Sequence, residues 1–160
     1  MKEQTKLRIE RIGDSIFLSP TFQALTIGVP FCMFKLIFGL LALREGASSV
    51  FISVFVWLVI AWALTDLIMN LARVYFHLSG RKTSIEYCTI AQAGRLVGKP
   101  GLFLAIDTLI SFSIICIVLW SGWITLLTRQ ELYVWYAATT LNLISVSVVN
   151  IWIELCRESS

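Results

Sequence analysis

The chain has 160 residues, of which 58% are hydrophobic and 14% charged, with a mean hydropathy of +0.82. That balance leaves too little polar surface to cover a water-soluble fold, so the chain is expected to dissolve in lipid. Its formal net charge of +3, with the basic residues scattered between apolar blocks, is too small for a nucleic-acid footprint, and its single histidine excludes bis-histidine haem ligation within one chain.

In chain order, the first element is a basic segment over residues 1–20. In "TKLRIERIGDSIF" the residues Ile9, Ile12 and Ile16 share one helical face and Lys6, Arg8 and Arg11 are polar, the pattern of a short helix lying on an anionic leaflet. The run from Phe22 to Leu43 then predicts a membrane span, because roughly 20 apolar residues cross a hydrocarbon layer of about 30 Å. Pro30 is expected to kink it, and the stretch has the character of a retained signal anchor. A polar turn, "REGASS", leads to a second helix from near Ser48 to about Leu78, longer than one bilayer needs.

The loop at 79–101 predicts a second surface helix in "SIEYCTIAQAGRLV", with Thr83 and Glu86 as a capping box and Gly98, Pro100 and Gly101 ending it. Docking of a partner is the functional alternative for this loop. A third span follows at Leu102 to Leu127, and a fourth at Leu132 to Cys156 after the turn "TRQE". The expected fold class is therefore all-α: one polytopic membrane domain over residues 1–160, four transmembrane helices in two hairpins, with short amphipathic surface helices. Lys2, Lys6, Arg8 and Arg11, the loop residues Arg81, Lys82, Arg95 and Lys99, and Arg157 outnumber the basic residues of the short turns, Arg44 and Arg129. This bias predicts both termini in the cytoplasm, in a plasma (inner) membrane. Tyr133, Trp135, Tyr136, Trp120 and Trp123 then suit an aromatic belt at the outer interface.

The chemistry-bearing residues lie inside these spans. Asp66, Asn70, Arg73 and His77 fall within a wedge of roughly 60° on the second helix. Asp107 in the third span and Asn150 in the fourth, beside Ser147 and Glu154, come to the same level. A charge facing hydrocarbon costs about 2.5–3.5 kcal/mol, so these groups are expected to turn inward, with Arg73 meeting Asp66, Asp107 or both and the two asparagines bonding to them. Two readings stand. The cluster is either glue between helices, at about 0.6 kcal/mol per polar contact, or a proton- or ion-handling vestibule with His77 as relay.

Lys35 is the other anomaly, about 20 Å into the first span with no acid of the other spans expected at its depth. It is expected to face water, a bound anionic group or another subunit, and Lys35→Met to spare folding while removing activity. Above Asp66 the same face continues as Trp62, Val59 and Phe55, which argues against an open pore through one subunit.

The cysteines form no CxxC pair, and Cys32 and Cys116 read as buried small hydrophobes. No phosphate loop, GxSxG or HExxH motif is present, so no cofactor, metal or catalytic residue is expected. The expected function is a small oligomeric ion channel or proton-coupled solute transporter. Gly28, Gly39, Ala61 and Gly122 are available for contacts between copies, and an accessory subunit of a larger membrane complex is the alternative.

Overall fold

The structure, a computed structural model, describes residues 19–46, 50–81 and 84–158. The expected N-terminal surface helix and the Thr83 half of the capping box lie outside these residues. Among the described residues, four helices are long and apolar enough to cross a membrane: Pro20–Glu45, Val50–Leu78, Pro100–Trp120 and Arg129–Leu155, here called the first to fourth spans. The first is the centre of the bundle. Half of its apolar window is buried, against 22–28% in the others, and it packs on all three. Phe31, Phe34, Ile37 and Leu41 of this span meet Val118 of the third and Trp135 and Ala138 of the fourth, while Ala42 meets Val56 and Ile60 of the second. Outside this core, Phe51, Phe55, Leu58, Ile68, Leu109 and Ile144 are exposed, which suits contact with lipid chains.

Local rules account for the ends of these helices. Ser19 caps the first span by accepting from Phe22 N at 3.1 Å, and Pro20 takes the first helical position, where no N–H is missed. A π-helical turn then occupies Ala24–Gly28. It lies just before Pro30, whose ring crowds the carbonyl four residues back, and the wider turn absorbs that crowding. The third span ends sooner than the run of apolar residues suggested. It stops at Trp120, and Gly122, at φ 78°, turns the chain into a short 3-10 helix over Trp123–Leu126. The fourth span starts with a reciprocal cap in which Glu131 Oε2 accepts from Thr128 N at 2.8 Å and Thr128 Oγ1 from Glu131 N at 3.4 Å. Arg44, at the far end of the first span, forks onto both oxygens of Glu131 at 2.8 and 2.9 Å.

Several expectations about faces change. The buried stripe of the fourth span is Trp135, Ala138, Asn142, Ser145 and Val149, so Asn150 is exposed and takes no part in the polar cluster. The reason is Trp135, which packs edge-on against Phe34 at 4.9 Å and rotates the helix to suit. Trp135 is thus core, and Trp123 stacks on Phe38 at 6.0 Å, whereas Trp120, Tyr133 and Tyr136 are exposed as a belt requires. Cys32 is buried but Cys116 is exposed. Gly28 and Gly39 are used within the chain: a Cβ would come within 2.1 Å of Asn70 Oδ1 at the first and 2.5 Å of Ile60 at the second.

The loop helix is shorter than the sequence suggests. It spans Thr89–Leu96, capped by the Cys88 sulfur accepting from Ala91 N, and Ser84–Tyr87 before it are not helical. Gly94 allows it to lie on the third span, since a Cβ there would stand 2.6 Å from Phe103 Cβ. Gly94→Ala is therefore expected to lift the loop helix at an overpacking cost of about 1–3 kcal/mol. Limited proteolysis, with cleavage in the loop several-fold faster than in the parent, checks it.

Candidate functional site: a buried lysine between two aspartates

The second span carries its polar stripe on the side facing the first span and the loop. Asp66 and Asn70 are each 1% exposed, Arg73 is half-buried and His77 is exposed, with its Nδ1 2.8 Å from Thr21 Oγ1. The stripe also holds the irregular loop segment that leads into the loop helix. Asp66 Oδ1 accepts from Thr89 N and Oγ1, both at 2.6 Å. Asn70 Nδ2 donates to Tyr87 O at 2.7 Å, and Arg73 donates to Ile85 O. Positions 66, 70 and 73 thus hold positions 89, 87 and 85, running in the opposite direction.

Arg73 does not meet Asp66 or Asp107 as expected. Its guanidinium lies 3.8 Å over the Tyr87 ring and 3.9 Å from Glu86, on which Arg95 also converges at 3.6 Å. Arg95 further donates to Ser84 O. Burial raises the Tyr87 phenol above its ordinary value, and the Arg73 charge opposes that shift. Its hydroxyl bonds Gln23 Oε1 at 3.0 Å.

The partner of the two aspartates is Lys35. Its Nζ donates to Asp66 Oδ2 at 2.8 Å and to Asp107 Oδ1 at 2.7 Å, and sits 4.1 Å from the centre of the Trp62 ring. Lysine and both carboxylates are almost wholly buried, so this is a three-helix ion cluster joining the first, second and third spans. Lys35 was expected to have no acid at its depth. Counting depth by backbone position overlooked the side chain, which in a helix leans toward the N-terminus and so carries the ammonium group down toward the loop end. No sequence signal marks the pairing beyond the cost of leaving any of the three alone in lipid.

The two carboxylates differ in their donors. Asp66 receives Lys35 and two donors of Thr89, whereas Asp107 receives Lys35, with the Cys88 thiol beside it. A cavity of about 120 Å³ reaches this cluster. Gln23, Asn70, Tyr87 and Thr108 give it a polar wall toward the loop end, and Ile27, Phe31 and Leu104 an apolar one. By liquid volume it has room for about four waters at ~30 Å³ each. Beyond Lys35 in the other direction the apolar core of Phe34, Leu41, Val118 and Trp135 closes the bundle.

Asn70 lines this cavity and ties it to the loop. Besides Tyr87 O its Nδ2 bonds Asp66 O at 2.9 Å. Burial pushes the Cys88 thiol, next to Tyr87, up to about 12, so it holds almost no thiolate at neutral pH. Asn70→Ala strands the Tyr87 carbonyl at a cost of about 1–3 kcal/mol and loosens the segment. The expected result is much faster alkylation of Cys88 by a maleimide at neutral pH, read by mass spectrometry of the labelled peptide; an unchanged rate would show that the segment holds without Asn70.

Comparison with family models, with curated proteins and with solved structures finds no match for the chain.

Proposed function

We propose that the protein is a small proton-coupled membrane transporter whose proton-binding centre is Lys35, Asp66 and Asp107. The observation that carries this reading is charge balance. One ammonium group faces two carboxylates in a membrane interior, so one negative charge is left over where an uncompensated charge is costly. A bound proton or a monovalent cation removes it. We assign the proton to Asp107, because Asp66 is already held by three donors while Asp107 has a single strong one. Two carboxylates in unlike surroundings take unlike roles.

Access also supports the reading. The cavity leads to the cluster from the loop end, and the apolar core beyond Lys35 offers no wet path onward. A carrier that exposes its site to one side at a time fits this better than a standing channel. We place both termini and the loop in the cytoplasm, in the two-hairpin arrangement that the Lys and Arg bias favours. A homo-oligomer would meet through the exposed apolar faces, because Gly28 and Gly39 are occupied within the chain.

Infrared difference spectroscopy of the purified chain between acid and alkaline pH tests the centre. A carboxylic C=O band that titrates and disappears in Asp107→Asn supports it. A spectrum without that band leaves the cluster as inert glue and favours a role as accessory subunit.

A further inference from the structure

We infer that the protein pairs with a second copy of itself along one face of the fourth span, a seam that runs through Thr140, Leu143, Ser147, Asn150 and Glu154. Such a pairing is independent of the proton centre. The fourth span is the least apolar of the four, yet only 28% of its apolar window is buried, so polar residues stand where lipid would otherwise touch the helix. From Tyr136 the path takes alternate steps of four and three residues to Glu154, then three more to Arg157, and every residue on it is exposed. A repeat averaging 3.5 residues keeps these positions on one side of a slightly supercoiled helix, the periodicity of a seam between two helices. The seam lies away from Trp135, Ala138, Asn142 and Ser145, which are buried within the chain.

Hydrogen bonding singles this face out. The exposed hydroxyls of Thr65 and Ser113, on the second and third spans, are already spent, donating to the carbonyl four residues back at 2.8 and 2.9 Å. Thr139 does the same to Trp135 O at 2.8 Å. Among the described residues no such bond serves the side chains of Thr140, Ser147 or Asn150. Set centrally, this span of ~40 Å overhangs a ~30 Å hydrocarbon layer by about 5 Å at each end, which leaves Ser147 and Asn150, ~12 and ~7.5 Å in from Leu155, inside the layer. An unbonded carboxamide there has no water to turn to, and a neighbouring helix is what satisfies it.

A second copy fits the chemistry of the seam. Two chains with the same Lys and Arg bias insert the same way round, so their fourth spans run parallel, and a twofold axis along the membrane normal sets each seam residue opposite its own counterpart. A carboxamide carries both donors and an acceptor, so two Asn150 side chains bond reciprocally. One turn further, Glu154 lies 3.9 Å from Arg157 of its own chain, both exposed, so the pair of copies brings together two carboxylates and two guanidinium groups with no net charge. Leu143, higher on the seam, adds apolar contact.

The test uses the full chain in liposomes, carrying Cys116→Ser and Cys156→Ser so that these native thiols do not compete; Cys32 and Cys88 are buried. A disulfide needs Cβ atoms within about 4.5 Å. Leu143→Cys and Ser147→Cys are therefore expected to give linked dimers under copper–phenanthroline about tenfold faster than Leu141→Cys on the same helix or Leu109→Cys on the third span, both exposed but off the seam. Asn150→Val, which loses two reciprocal bonds, is expected to weaken association about tenfold, read from the lipid dilution at which Ser147→Cys cross-linking falls by half, and Asn150→Gln to restore it. Equal rates at all four positions, a chain that stays monomeric, or an Asn150→Val variant that associates as the parent does overturns the seam and leaves the proton centre standing.

Discussion

Lys35→Met will destabilise the purified chain by about 3–5 kcal/mol, the usual loss when one member of a buried ion pair is removed. The sequence alone suggested the opposite, that this variant would fold and merely lose activity. The geometry reverses that expectation, because the ammonium group is what keeps two carboxylates, bonded to it at 2.8 and 2.7 Å, from facing each other bare. Methionine restores the shape of the lysine stem but not the charge. At alkaline pH, where Asp107 is ionised, adding Asp107→Asn to Lys35→Met returns the cluster from two negative charges to one, held by the Thr89 donors, and should recover most of the loss. Thermal unfolding in detergent of the parent, the single and the double variant makes the comparison. A single variant as stable as the parent, or a double variant no better than the single, refutes the view of Lys35 as the shared counter-ion.

Asp107→Asn and Asp66→Asn will separate function from folding. With asparagine at 107 the Lys35–Asp66 pair is neutral by itself, so the chain should fold normally and yet lose its titrating proton and all proton-driven uptake in proteoliposomes. Asparagine at 66 removes a charged acceptor from three donors at once, Lys35 and the N–H and hydroxyl of Thr89. Hydrogen bonds to a charged group contribute about 1.5–3 kcal/mol each. The 66 variant should therefore unfold at clearly lower temperature and show fast amide exchange over 85–89. Equal thermal stability of the two variants would contradict the different roles given to the carboxylates.

How much of this was legible in the sequence depends on what wrote the signal. The four spans were legible because a bilayer imposes a length and a composition on any helix that crosses it. The stripe of Asp66, Asn70 and Arg73 was legible for the same reason, as the exception to that composition. Its partners were not, because Thr89 N, Tyr87 O and Ile85 O are backbone atoms that every residue carries. The pairing of Lys35 was obscured by the reach of its side chain, and the face of the fourth span by Trp135, which reads as a belt residue but packs on Phe34. Thr128 and Glu131 do carry a recognisable capping signature, T-x-x-E, which a closer reading of "TRQE" would have found.

Docking through main-chain atoms has a consequence for how freely this region can be rewritten. A strap gripped by its peptide groups keeps its path when the side chain at position 85 is exchanged, provided the three gripping residues stay and Tyr87 keeps its own hold on Arg73 and Gln23. New specificities at the entrance can thus be introduced by exchanging the strap's decorations, with the ion cluster beneath left as it is.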